Sequence, residues 1–76
     1  MKPQTPPKDA LMYMTQVHIR KYKMHLDVAA KGAKYVRVDE TKKLLAIWES
    51  IESKGFIYEN LTEVEKNEAD DAYADF

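Results

Sequence analysis

The chain has 76 residues, no cysteine and a net charge of −1 at pH 7. Without cysteine, disulfides, thiolate metal sites and thiol catalysis are excluded, and the length allows one small domain. The longest apolar runs, five residues each, are too short to span a bilayer, and the first residues lack the apolar core of a signal peptide. We therefore predict one small domain that is located in the cytoplasm and not in a membrane.

The small net charge hides two halves of opposite sign. Residues 1–43 hold ten basic and four acidic residues, a net charge of +6. Residues 44–76 hold two basic and nine acidic residues, a net charge of −7. Such asymmetry is typical of a chain that binds a charged partner or closes electrostatically on itself.

The first residues predict a flexible arm over 1–8, because its three prolines lack amide donors and fix φ. Asp9 is the predicted N-cap of the element that follows. We predict a globular domain over 9–69 and an acidic, frayed tail over 70–76. Fraying is expected there because acidic residues near the negative end of a helix destabilise it.

Residues 10–31 fit a helix, because a polar stripe and an apolar stripe both follow the helical repeat. Gly32 would end this helix at a position that requires a positive φ. The alternative is a β-hairpin over 16–38, since residues 21–28 alternate polar and apolar side chains. The helix leads to an all-α, three-helix domain with short extended connections, whereas the hairpin leads to an α+β domain with an N-terminal hairpin followed by helices.

The segments that follow are simpler. Asp39 is predicted to cap a second helix over 40–54, which Gly55 ends. The predicted core face of this helix consists of four residues at helical spacing: Leu44, Ile47, Trp48 and Ile51. Phe56–Tyr58 is expected to be extended, and Thr62-Glu63-Val64-Glu65 is a capping box that starts a third helix.

The residues that usually carry catalysis or bind metal are sparse. His18 and His25 are two helical turns apart, about 10 Å along the axis, too far to share one ion. They are interpreted as amphipathic surface histidines. No glycine-rich phosphate loop and no nucleophile motif is present. We therefore predict no enzymatic activity, no metal and no cofactor.

A basic cluster surrounds Tyr22, His25 and Tyr35. Its members are Arg20, Lys21, Lys23, Lys31, Lys34 and Arg37, with Lys42 and Lys43 behind them. Cations of this kind neutralise phosphates, and aromatic rings stack on exposed bases, so a nucleic acid is one partner class. An acidic protein is another, and a solvated face that pairs with the acidic half is the third interpretation.

An acidic set dominates the last residues: Glu63, Glu65, Glu68, Asp70, Asp71 and Asp75, followed by Phe76. An ordered array of carboxylates can imitate DNA and occupy a cationic groove. The ending Tyr73-Ala74-Asp75-Phe76 also resembles the tails by which single-stranded-DNA-binding proteins dock partners, although it lacks their Pro-Phe ending. The simplest interpretation is a solubilising tail that folds back on the basic half.

A second apolar line on the first segment consists of Tyr13, Val17, Met24 and Val28. We assign it to the core, with a homodimer or partner groove as the alternative.

Three functional hypotheses follow. The leading one is a small, non-enzymatic regulatory or inhibitory protein that binds another protein through its charge-polarised surface. The second is a nucleic-acid-binding protein that uses residues 20–43, with the acidic tail as an autoinhibitory competitor. The third is a structural or assembly subunit that oligomerises through the first helix.

Overall fold

A computed structural model of the protein describes residues 5–76, so residues 1–4 of the predicted arm lie outside the described part. The fold consists of α1 (Lys8–Ala30), α2 (Val38–Ser53) and α3 (Glu63–Ala74), with a single 3-10 turn (Tyr58–Asn60) before α3. The prediction of a small, all-α, three-helix domain is confirmed. Among the helices of the described residues, none combines the length and apolar character needed to cross a bilayer.

Residues 5–76 contain no β-strand, so the alternative with a β-hairpin over 16–38 is wrong. Instead, α1 runs unbroken to Ala30, and its buried residues recur at helical spacing: Leu11, Met14, Thr15 and Tyr22. Within the alternating stretch, Tyr22 is buried and Met24 is exposed. In a strand these two residues would lie on the same face. In the helix, residues two apart point in different directions, so the alternating pattern does not predict which side chains are buried.

The first two helices begin earlier than predicted, and neither has a side-chain N-cap. Pro7 rather than Asp9 is the N-cap of α1, and Asp9 lies in the first turn. Arg37 rather than Asp39 is the N-cap of α2, and Asp39 and Glu40 lie in its first turn. These carboxylates therefore stabilise the helices through the helix dipole instead of a capping hydrogen bond.

Glycines end α1 and α2 at the predicted positions. Gly32 has a φ of 106° and Gly55 a φ of 71°. The turn after α1 is a Schellman motif, in which the Ala33 N–H donates to the Val28 carbonyl at 3.1 Å. Phe56 also has a positive φ, of 62°, so the connection after α2 turns at Phe56 where we predicted an extended segment.

The predicted capping box at the start of α3 is confirmed. The Thr62 hydroxyl accepts from the Glu65 N–H at 3.3 Å, and the Glu65 carboxylate accepts from the Thr62 N–H at 2.8 Å. The helix then continues to Ala74, beyond the predicted start of fraying. In this last part, Asp70 accepts a hydrogen bond from the Tyr58 hydroxyl at 2.9 Å.

The core lies where the three helices meet, with α1 packed mainly along α2. Its buried apolar residues are Leu11, Met14, Tyr22, Trp48, Ile51, Leu61 and Ala69. Of the four residues predicted for the core face of α2, Trp48 and Ile51 are fully buried. The other two, Leu44 and Ile47, are partly buried and pack against this core.

Candidate functional site

The predicted basic residues are all exposed, but they do not form one patch. Arg20, Lys21 and Lys23 lie in the middle of α1 and are called the central basic group. Lys31, Lys34 and Arg37 lie at the end of α1 and in the connection to α2, and are called the loop basic group. Because a helix rises 1.5 Å per residue, Arg20 and Lys31 are roughly 16 Å apart along the axis.

Ion pairs do not connect the basic half to the acidic tail within residues 5–76. The ion pairs of this part of the chain are Lys31–Asp27 at 3.1 Å, Arg37–Glu40 at 3.5 Å and Lys54–Glu65 at 2.6 Å. The first two are local and exposed, so they contribute little to stability. The central basic group is exposed and forms no ion pair with a described carboxylate, although the Lys21 Nζ lies 4.9 Å from the Tyr22 ring centroid.

The acidic set divides into an inward and an outward part. Glu68 accepts a hydrogen bond from the Trp48 indole N–H at 3.2 Å, and Asp70 accepts from Tyr58. Glu65 is buried and also bonded. The remaining members of the acidic set, all exposed, are Glu63, Asp71, Asp75 and Phe76. Glu65, Glu68 and Asp70 of the predicted acidic array therefore bind α3 to the rest of the fold.

Glu65 is the most perturbed of these carboxylates. Burial by itself would raise the pKa of Glu65, but hydrogen bonds from the Lys54 ammonium, the Ser50 side chain and the Thr62 N–H, together with the positive charge of Lys54, lower that pKa to about 2. Lys54 lies at the end of α2, and Glu65 lies in the first turn of α3. The pair therefore joins these two helices with an ionised, partly buried contact.

An aromatic cluster joins α1 and α2. The His18 ring stacks on Trp48 with a centroid distance of 4.5 Å and an interplanar angle of 15°. Its Nδ1 lies 2.7 Å from the Met14 carbonyl oxygen and therefore carries the proton. Burial, and then nearby carboxylates led by Glu68, raise the pKa of the Tyr22 hydroxyl. His18 is thus half-buried against Trp48 of α2, and more enclosed than the surface histidine predicted from the sequence.

The second apolar line of α1 is largely exposed, so its assignment to the core is wrong. Tyr13, Val17 and Met24 are 57%, 43% and 59% exposed. They project from the side of α1 opposite Leu11 and Tyr22, which face the rest of the fold. The helical repeat places Arg20 between Val17 and Met24 on this stripe. We call Tyr13, Val17, Arg20 and Met24 the outer face of α1.

Two features border the outer face. At its Tyr13 end, the Phe76 ring packs edge-on against Tyr13 at a centroid distance of 5.5 Å and is itself 66% exposed. Along the side toward α2 runs an open groove of about 360 Å³. Its lining residues are Gln16, Ile19, Arg20, Lys23 and Glu52. Apolar and cationic groups thus border this groove together with the carboxylate of Glu52.

Another aromatic residue stands out on the connection between α1 and α2. Tyr35 is 80% exposed and lies between Lys34 and Arg37 in the chain.

No three His, Cys, Asp or Glu side chains of residues 5–76 are grouped as a metal site requires.

Sequence reasoning missed the combination of exposed apolar side chains with unpaired cations on α1. The sequence alone contains one sign of this combination. The helical repeat places the polar residue Arg20 between Val17 and Met24 of the second apolar line. Searches for similar proteins found no family model, no curated protein and no solved structure that matches this chain.

Proposed function

We propose that this chain is a non-enzymatic, cytoplasmic protein that regulates or inhibits another protein by binding an acidic surface on it. The contact is made by the outer face of α1 together with the central basic group. The observation that carries this proposal is the presence of Tyr13, Val17 and Met24, all exposed, beside three cations that form no ion pair with a described carboxylate.

The combination fits a protein partner better than a nucleic acid. Protein interfaces have apolar anchors at their centre, with aromatic residues, Met and Arg enriched, and a charged rim that speeds association and selects the partner. Phosphate backbones require cations but offer few apolar groups to bury. Met24 and Tyr13 would gain little from a duplex, whereas a protein surface would remove them from water.

The acidic half supports the proposal less directly. Glu65, Glu68 and Asp70 are hydrogen-bonded inside the fold, so fewer carboxylates face outward than the sequence contains. We therefore assign partner binding to the basic side of the molecule and not to a DNA-like acidic face.

The test compares quantitative capture from cell lysate by three immobilised proteins. They are the natural chain, a central variant (R20E, K21E, K23E) and a matched control variant (K34E, K42E, K43E) with the same change in net charge. We expect some lysate proteins to be retained by the natural chain and by the control variant but not by the central variant. Raising the salt concentration should release these proteins from the natural chain. Equal retention by all three would contradict the proposal.

A second candidate function rests on Tyr35. Tyr35 is 80% exposed and lies between Lys34 and Arg37 in the chain. An exposed ring beside cations supports this candidate, because an unpaired base could stack on it. Fluorescence anisotropy with single-stranded DNA and RNA at low salt tests this function. Binding that is weakened by Y35A, but not by Y13A, would favour the nucleic acid and count against the protein partner.

A further inference from the structure

We infer that the partner surface is an acidic amphipathic helix that packs lengthwise along α1. This inference deepens the proposed function and rests on it. The outer face has the spacing of a helix-pairing seam: the steps between Tyr13, Val17, Arg20 and Met24 are four, three and four residues. This is the alternation of the a and d positions of a heptad.

The cations that border the seam occupy the flanking heptad positions. If Val17 and Met24 are a positions and Arg20 is a d position, Lys21 is an e position and Lys23 is a g position. All three cations are exposed and none pairs with a carboxylate of residues 5–76. Residues at e and g choose the partner helix by charge, so this pattern calls for Glu or Asp at the partner's e and g positions.

The length of the exposed stretch also fits a helix. From Tyr13 to Met24 the seam extends for roughly 16 Å, or about three turns, on a helix that is continuous from Lys8 to Ala30. Apolar anchors repeated at this spacing on one continuous helix match the ridge of another helix. The groove beside Arg20 and Lys23, with Ile19 in its wall, offers room for a partner side chain.

A second copy of this chain fits the seam less well than an acidic helix. The central basic group lies close to the midpoint of α1, which runs from Lys8 to Ala30. Both a parallel pair and a fully overlapping antiparallel pair of α1 helices would therefore bring two such groups together. Like charges that face each other oppose association, whereas an acidic partner helix neutralises the same cations.

The probe is a fluorescent synthetic peptide with leucine at a and d and glutamate at e and g, long enough to be helical by circular dichroism. One control peptide has lysine at e and g. A second control peptide has the same number of glutamates as the probe but contains prolines, which prevent it from forming a helix. Full-length protein is titrated into each peptide, and anisotropy is measured at low and high salt.

We expect the acidic helix to bind at least about tenfold more tightly than either control peptide, because steering and charge pairing act only there. The central variant R20E, K21E, K23E should lose about tenfold, and the matched variant K34E, K42E, K43E should bind much like the natural chain. Because these side chains are exposed, both variants should fold, which circular dichroism checks. The single variant R20Q provides a milder test if the triple variant is unstable.

Other outcomes separate the inference from the proposed function. Equal binding of the helical and the proline-containing acidic peptides would overturn the helix inference but leave an acidic protein surface as the partner. Failure of all peptides, with capture from lysate still lost in the central variant, would have the same meaning. Light scattering that shows dimers disrupted by the central variant would replace the acidic helix by a second copy.

Discussion

At the level of single residues, Glu65 has a structural role that its place in an acidic stretch conceals. It completes the capping box of α3 and forms an ion pair with Lys54 at 2.6 Å, while the residue is only 6% exposed. A carboxylate in this position is held ionised by its donors, and removal of either partner leaves a charge in a poorly hydrated site.

Glu65 should make the stability of the fold depend on pH. Its pKa falls from 4.5 to about 2 on folding, so its contribution is complete above pH 4.5 and is lost as the pH falls toward 2. That contribution is on the order of 3 kcal/mol. Urea unfolding of the natural chain and of E65Q should therefore differ by a constant amount above about pH 5, and the difference should shrink as the pH falls toward 2.

The exposed Glu59 provides the control for this measurement. E59Q should change the free energy of unfolding by less than about 0.5 kcal/mol at any pH. A gap between E65Q and the natural chain that persists unchanged down to pH 2 would contradict the assigned ionisation.

Glu68 provides a second test at this scale, because it accepts from the indole N–H of the buried Trp48. E68A leaves that donor without an acceptor and should destabilise the fold by about 1–3 kcal/mol. E68Q keeps an amide oxygen at the same place and should cost less. Urea unfolding measures both, with the exposed Asp71 as the control in D71A. If E68A and E68Q cost the same, the indole hydrogen bond contributes nothing measurable.

At the level of elements, α3 carries its charges favourably at one end and unfavourably at the other. Glu63 and Glu65 lie in the first turn, and the last turn contains no basic residue, with Asp75 at the C-cap. The helix dipole favours the former and opposes the latter. The unfavourable charges of the last turn favour fraying, whereas the Tyr58–Asp70 hydrogen bond and the Phe76 contact with Tyr13 oppose it.

Two charge changes on α3 should have opposite effects. D75K should stabilise the helix by about 0.3–1 kcal/mol, because a cation suits the negative end. E63K, the same change at the positive end, should destabilise it by a similar amount. Amide hydrogen exchange of the last turn measures the first effect, and thermal unfolding measures both. Shifts of the same sign would show that net charge, and not the dipole, is responsible.

At the level of the whole molecule, folding and binding should respond differently to salt. Two of the ion pairs within residues 5–76 are exposed, and none connects the basic half to the acidic tail. Raising the ionic strength to about 1 M shortens the screening length to about 3 Å. The midpoint of urea unfolding should change little, whereas binding of an acidic partner should weaken strongly. A large loss of stability in salt would reveal electrostatic closure between the halves.

The sequence predicts those parts of the fold that local chemistry decides. Gly32, Gly55 and the Thr62 capping box each mark a helix end through a requirement of one residue or one short motif. Trp48 and Ile51 follow from the helical repeat. The exposure of Tyr13, Val17 and Met24 does not follow from that repeat. An apolar stripe is buried only if another element covers it, and α2 and α3 both pack on the other side of α1. For the same reason, the inward role of Glu68 requires knowing that α3 lies beside Trp48.

The position of Trp48 has a practical consequence. This residue belongs to α2, stacks on a side chain of α1 and donates to a side chain of α3. It is also the single tryptophan of the chain. Its emission should therefore report the assembly of all three helices. A red shift that precedes the loss of helical circular dichroism would identify an intermediate that keeps its helices but has lost their packing around Trp48.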